Sequence, residues 1–192
     1  MLYGWDISTS IVGFSTFTND CVYVGSEYID LRKIENGFPD KAYAVHVFIE
    51  GLAARIHQDG LDQELHTHYV EDKLGGFAGG RTMQQTLLKL AAFNSVVSYI
   101  AWQQFYKSGL KVKFEHIHPS TVKAIMKRDG LLIPKGSDKK QLTLDFVSKR
   151  EQKFPVTLNK NGNPQPYCFD MADSYIVAVA GHRKYGCNAK ES

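Results

Sequence analysis

Acidic residues stand at three places where the sequence otherwise predicts a buried core. Asp6 lies in the first apolar run of the chain, Glu71 and Asp72 end a later apolar run, and Asp170 and Asp173 open an apolar helix pattern. A buried carboxylate costs on the order of several kcal/mol unless it is paired or binds a cation. A salt bridge, a strand end or a helix dipole could each explain one place, but the three together favour one cation site.

The chemistry that such acids support is phosphodiester cleavage with Mg²⁺. A spacing of three residues places Asp170 and Asp173 on one helix face, and carboxylate oxygens are the ligands that Mg²⁺ prefers. Two Mg²⁺ ions ~3.5–4 Å apart would activate water and stabilise the leaving oxygen, and Mn²⁺ is expected to substitute. Glu71 and Asp72 stay open as alternatives, because a shift of one residue exchanges the faces of a strand.

Basic residues are concentrated in the segment 111–160. It has twelve Lys and Arg against five acids, whereas residues 1–110 have eight against twelve, so the net charges are +7 and −4. Such a segment can bind a polyanion, although a solvated helix face is the commoner meaning of a charge run. The candidate phosphate contacts in this segment are Lys123, Lys139, Lys140, Lys149 and Arg150.

The predicted elements have to bring these residues together. Apolar alternation and turn residues predict strands over 2–7, 11–18, 21–29, 66–71 and 111–117. Helical periodicity predicts helices over 39–58, 82–107, 119–127, 138–149 and 169–182. This order predicts an α/β protein with a mixed five-stranded sheet covered by helices on both faces. The expected core stripe of the first helix is Tyr43, Val47, Phe48, Leu52 and Ile56.

The helix predicted over 82–107 is apolar nearly all round. A helix without a polar face is buried on two sides, so this one is expected to cover the sheet and to pack on a second copy of the chain. Val97 is expected on the outer face. The sequence therefore predicts a homodimer, whose two-fold symmetry suits a symmetric partner.

Length and composition restrict the class of protein. With 192 residues, 43% of them hydrophobic and 22% charged, the chain is expected to form one domain over 1–192. Its apolar stretches are shorter than the ~20 residues of a membrane span, and its N-terminus does not have the pattern of a signal peptide. A soluble protein of a bacterial or phage-infected cell is the expectation.

The cysteines and histidines are weaker signals. The three cysteines, Cys21, Cys168 and Cys187, are widely spaced and predict free thiols in a reducing, cytoplasmic compartment. Two His-x-His pairs could bind a metal from one strand face, but half-exposed structural histidines are the favoured interpretation. These pairs are His66/His68 and His116/His118.

The sequence motifs resemble those of a known nuclease family. The run GWDISTSIVGFSTF holds Asp6, YVED holds Glu71, and DMADSYIVAVAG holds Asp170 and Asp173. In this order they resemble the RuvC-type Holliday-junction resolvases of the ribonuclease H-like superfamily. HIHPSTVKAIM and GSDKK are similar to two lysine-bearing segments of that family, so the resemblance spans nearly the whole chain.

This resemblance implies an Mg²⁺-dependent, ribonuclease H-like endodeoxyribonuclease that nicks four-way DNA junctions symmetrically as a homodimer. The residues that match the four catalytic, metal-binding acids are Asp6, Glu71, Asp170 and Asp173. Lys123 and Lys140 match basic residues that the family places near the scissile or flanking phosphates. The full set of DNA contacts that we predict is Lys123, Lys139, Lys140, Phe77 and Arg81.

The chain departs from the bacterial pattern at two places. Asp6 is followed by Ile7 and Ser8 where bacterial members have Pro and Gly, and Leu74 stands where they have an aromatic residue that stacks on a junction base. Phe77, in the glycine-rich segment 75–80, is either the substitute for that residue or a core anchor. These departures indicate a divergent member, such as one from a virus or a phage.

Three other functions have to be compared with this one. A nuclease for RNA–DNA hybrids or for flaps stays open, since hybrid nucleases carry a Glu on the first helix and Glu50 lies there. The non-enzymatic alternative is a catalytically inactive module that binds branched DNA. An actin-like or sugar-kinase fold also begins with an Asp-bearing hairpin, but 192 residues cannot supply its two domains.

Overall fold

The computed structural model describes residues 1–35, 37–72 and 81–186, and within the last segment the side chains of 81–83 are not described. Phe77, Leu74 and Cys187 therefore lie outside the described residues, as does the side chain of Arg81. Within the described part of the chain, no helix is both long enough and apolar enough to cross a membrane.

Five strands in the described residues form one mixed sheet. They are β1 (Leu2–Ile7), β2 (Ile11–Phe17), β3 (Tyr23–Asp30), β4 (Leu65–Glu71) and β5 (Lys111–Ile117), in the spatial order β3-β2-β1-β4-β5. The pairs β1/β2 and β2/β3 are antiparallel, whereas β1/β4 and β4/β5 are parallel. The predicted α/β class and the mixed five-stranded sheet are confirmed.

Helices cover both faces of this sheet and form two separate cores with it. They are α1 (Phe38–Gln58), α2 (Arg81–Lys107), α3 (Pro119–Arg128), α4 (Lys139–Arg150) and α5 (Pro166–Gly181), which continues as one short π-helical turn (His182–Gly186). On one face, α1 and α2 pack over the aromatic side chains of β1 and β2. On the other face, α5 lies directly on the sheet, and α3 and α4 pack against α5.

The buried stripe of α1 differs from the predicted one. Its buried residues are Ala42, Val45, Ile49, Leu52, Ala53 and Ile56. Tyr43 and Val47 are 68% and 49% exposed, so their predicted place in the core is wrong. The buried set repeats at three and four residues, and Tyr43 and Val47 lie outside that repeat.

The helix α2 has one buried face, and Val97 lies on it. Phe93, Val97, Ala101 and Phe105 are each at most 1% exposed and follow one another at a spacing of four. The expectation that Val97 faces outward is therefore wrong, because this spacing places it in the same stripe as its neighbours.

The strand β4 is buried, so its histidines are core residues. His66 and His68 have no exposed surface, which makes the predicted half-exposed position wrong. The hydroxyl of Tyr3 lies 2.8 Å from His66 Nδ1, and Trp5 Nε1 donates to His68 Nδ1 at 3.0 Å. Burial lowers the pKa of His68 well below its ordinary value, so the ring is neutral in the folded protein.

Two glycines allow α5 to lie directly on the sheet. A Cβ on Gly4 would lie 2.0 Å from the backbone oxygen of Ser174, and a Cβ on Gly13 would lie 2.1 Å from that of Asp170. A hydrogen bond of 2.7 Å joins the hydroxyls of Ser15 and Ser174 across the same contact. The backbone of α5 is therefore held against β1 and β2 by close packing and by one buried polar pair.

We expect Gly4→Ala to destabilise the protein by on the order of 3 kcal/mol, because the added methyl group would displace α5 from β1. The matched control is Gly25→Ala, since a Cβ there meets nothing within 4 Å. Urea unfolding measures both variants. Equal midpoints for the two variants would contradict this account of the contact.

Candidate active site

Asp6 and Glu71 lie at the carboxyl ends of two neighbouring parallel strands. Trp5 of β1 is paired with Val70 of β4, so the next residue of each strand is an acid. Ligand sites in such sheets form at the carboxyl ends of the parallel strands. Asp6 is only 8% exposed, which confirms that this strand brings a carboxylate into the core.

The helix α5 brings two further acids to the same edge. Asp6 pairs with Gly13 across β1 and β2, and the absence of a side chain at Gly13 lets the backbone of Asp170 approach this pair. Asp170 is 8% exposed. Asp173 follows about one helical turn later on the same side of α5.

Lys140 forms an ion pair with one acid of this group. Its Nζ lies 3.3 Å from Asp170 Oδ1, and the start of α4 is fixed because the Asp138 side chain accepts from the backbone N–H groups of Lys140 and Gln141. Burial lowers the pKa of Lys140, but the charges of Asp170, Asp173 and Asp6 more than offset this, so the pKa is raised. Lys140 therefore stays protonated beside the acids.

Burial and neighbouring negative charges both disfavour the ionised form of Asp173. Burial, followed by the charge of Asp6 and more weakly that of Glu71, raises its pKa to about 7, although Lys139 and Lys140 oppose the shift. Its Oδ1 is buried and has no hydrogen-bond partner among the described residues. A bound cation would give this oxygen a partner and would lower the repulsion among the carboxylates.

A cavity of 540 Å³ opens beside the acids. Glu71 and Asp173 form its acidic side, and three lysines from α3 and α4 form its basic side: Lys123, Lys127 and Lys139. Apolar residues of the segment 131–134 complete the wall. The arrangement offers carboxylates at one end and positive charge along the sides, which suits a phosphate backbone.

The structure brings most of the predicted site residues together. Of the two alternatives at the end of β4, it is Glu71 that lines the cavity. Lys149 and Arg150 lie at the opposite end of α4, about 15 Å along its axis from Lys139. Arg150 there faces Asp129 at 3.9 Å, so these two residues are separated from the acids.

Asn94 and Gly13 support the site, although neither was predicted from the sequence. Asn94 is 4% exposed on α2, and its Nδ2 donates to the backbone oxygen of Glu71 at 2.9 Å. This bond fixes the end of β4 and therefore the direction of the Glu71 side chain. An Asn within an apolar helix pattern was the available signal, because a buried amide needs a partner.

The four acids offer oxygen ligands, but their side chains are not arranged as a complete metal site. Among residues 1–35, 37–72 and 81–186, no three His, Cys, Asp or Glu side chains are arranged as a group that could hold a metal ion. The buried, unpartnered Asp173 Oδ1 and the all-oxygen donor set nevertheless fit Mg²⁺.

The fold is similar to two solved structures from Thermus thermophilus. RuvC in complex with a Holliday junction substrate matches with a TM-score of 0.56 and 12% identity, over 98% of this chain and 96% of that one. A further RuvC structure matches with a TM-score of 0.56 and 14% identity, over 97% and 95%. These similarities confirm the RuvC-like, ribonuclease H-like fold. No protein-family model matches the chain, and no curated protein matches it in sequence.

We expect Asp173→Asn to stabilise the protein at pH 7.5 in the presence of a chelator, by on the order of 2 kcal/mol. Because the pKa of Asp173 is higher in the folded protein, the folded state binds a proton that the unfolded chain releases near pH 4. Stability contributed by this proton is present below pH 4 and is lost as the pH rises to about 7.

Urea midpoints at pH 4.5 and 7.5 measure this effect. The wild-type protein should lose more stability between these two pH values than the variant does. The same loss in both proteins would show that Asp173 does not experience the repulsion described above.

Proposed function

We propose that this protein is an Mg²⁺-dependent endodeoxyribonuclease that resolves four-way DNA junctions by paired symmetric nicks. The observation that carries the proposal is the buried Asp173 carboxylate, which lies within electrostatic reach of Asp6 and Glu71 and lines a cavity that three lysines also line. The RuvC-like fold supports it, and one of the similar structures is bound to a Holliday junction substrate.

The residues that would hold Mg²⁺ are Asp6, Glu71, Asp170 and Asp173. Two bound ions would supply an activated water and would stabilise the charge on the leaving oxygen, with Mn²⁺ as a substitute. Asn94 keeps the Glu71 backbone in place, and Lys140 balances the charge of Asp170. Lys123 and Lys139, which line the cavity, would bind phosphates close to the cleaved bond.

The alternative of an RNA–DNA hybrid nuclease has less support. It depends on a Glu of the first helix, and Glu50 is exposed on α1, which covers the sheet face opposite to α5. Glu50 is therefore separated by the sheet from the four acids. An inactive module for branched DNA remains distinguishable by experiment, because it would bind junctions in Mg²⁺ without cutting them.

We expect Asp173→Asn to reduce cleavage by on the order of 10³-fold while junction binding stays equal or improves, since a negative charge next to DNA is removed. The matched control is Asp145→Asn, an exposed acid on the outer side of α4. Labelled four-way, three-way, flap and linear DNA are incubated with Mg²⁺ and with chelator. Cleavage by Asp173→Asn at the wild-type rate would refute the assignment.

We expect Lys123→Gln and Lys139→Gln each to flatten the log–log salt dependence of junction binding by roughly one unit, because each removes one phosphate contact. Lys149→Gln is the matched control within α4, since Lys149 lies at the far end of that helix. Fluorescence anisotropy at several salt concentrations measures the slopes. An unchanged slope for both cavity variants would favour the interpretation of a solvated helix face.

We further propose that the exposed face of α2 forms a two-fold dimer interface. The face has apolar and small residues that alternate at spacings of four and three, as in a helix-pairing seam: Leu88, Ala92, Ser95, Tyr99, Trp102 and Tyr106. Four of these are large side chains between 42% and 66% exposed. A two-fold dimer through this seam would present two active sites to one symmetric junction.

We expect Trp102→Glu to dissociate the dimer and to uncouple the two nicks, while the fold stays intact. Tyr43→Glu is the control, because Tyr43 is also an exposed aromatic residue but lies on α1. Val97→Glu should instead unfold the protein, since Val97 is 1% exposed. Sedimentation velocity measures assembly. A wild-type monomer at micromolar concentration that still makes paired nicks would contradict the interface.

A further inference from the structure

A row of cross-strand neighbours connects the acids to an aromatic pair. Asp6 of β1 is paired with Gly13 of β2, and Gly13 is paired with Tyr28 of β3. Paired residues of adjacent strands project to the same face, and strands lie ~4.8 Å apart. Tyr28 therefore lies ~10 Å from Asp6, on the face that α5 covers, and β3 is an edge strand of the sheet.

Tyr28 stacks on a residue of α5. The ring centroids of Tyr28 and Tyr167 are 3.8 Å apart, and the two planes differ by 2°. Tyr167 lies one helical turn before Asp170, so the stack joins β3 to the part of α5 that carries an acid of the site. Tyr28 is still 39% exposed although Tyr167 covers one face of its ring. The stacked pair thus presents aromatic surface to solvent beside the acids.

A cation lies next to this pair. Arg32 binds Asp30 through two nitrogen–oxygen contacts of 2.9 and 2.6 Å, which fix the guanidinium at the end of β3. The guanidinium lies within electrostatic reach of both Asp170 and Tyr28. The side chain of Arg32 is 45% exposed and can contact a further anion.

We propose that Tyr28 and Tyr167 form a stacking platform for one unpaired nucleobase close to the scissile phosphate, and that Arg32 binds the backbone of that nucleotide. This inference rests on the proposed function and specifies which part of the DNA it recognises. A base inside a duplex has both faces covered, so only a base extruded at a branch point can stack on the platform. Stacking on an aromatic ring tolerates any base, because every base has a π-face.

Abasic substitutions in a four-way junction test the platform. One abasic site is placed in turn at each position within three nucleotides of the nick, and binding is measured in chelator. For the wild-type protein, we expect one position to lower affinity about tenfold. Tyr28→Leu should bind the intact junction with about tenfold lower affinity than the wild type. An abasic site at the sensitive position should not lower the affinity of this variant further. Tyr28→Phe keeps the ring and should behave like the wild type.

Tyr43→Leu is the matched control, because Tyr43 is an exposed tyrosine on the other side of the sheet. A Tyr28→Leu profile identical to that of the wild type would overturn the platform and leave the proposed function standing. If Tyr28→Leu fails to fold, the affinities of the wild-type protein for the abasic junctions test the inference. One sensitive position supports the platform, and equal affinities at all positions overturn it. A wild-type protein that does not bind junctions at all would overturn the proposed function and the platform together.

Discussion

The direct contact between α5 and the sheet is the constraint on which the rest of the structure depends. Gly4 and Gly13 leave no room for a side chain, so the helix backbone touches the strand backbone. The hydroxyls of Ser15 and Ser174 lie in this contact and are hydrogen-bonded to each other, and the Ser174 hydroxyl also lies within hydrogen-bond distance of the Met171 backbone oxygen. Because α5 also holds α3 and α4, its position determines where Lys123, Lys139 and Lys140 stand relative to the acids.

That same contact concentrates negative charge in a place that water reaches poorly. Asp170 is carried to the Asp6–Gly13 pair by the approach of the helix backbone, and Asp173 follows it into a buried position. The folded protein keeps these groups together because close packing across the sheet outweighs their repulsion. Lys140 relieves part of the repulsion at Asp170, while Asp173 keeps a raised pKa. Perturbed pKa values of this kind are typical of functional sites.

The sequence predicts those parts of the protein that depend on local pattern. Asp6 and Glu71 stand out because each interrupts or ends an apolar run, and the order of strands and helices along the chain follows from turn residues and helix periodicity. The predicted outward position of Val97 was wrong, because the sequence of a helix that is apolar nearly all round does not show which of its faces packs on the sheet. Gly13 and the Tyr28–Tyr167 stack could not be predicted, since both depend on strand register and on a partner more than a hundred residues away. The solvent-exposed stack in particular has no signature in hydropathy.

The two cores of the protein share the sheet and little else. One core joins α1 and α2 to the aromatic side chains of β1 and β2, and the other joins α3, α4 and α5 to the opposite face. Residues that lie well apart and share no neighbours contribute independently to the free energy of folding. Substitutions on the outer surface of α2 can therefore accumulate during evolution without disturbing the carboxylates on the other side of the sheet. Among related sequences, the two sides of the sheet can therefore diverge at different rates.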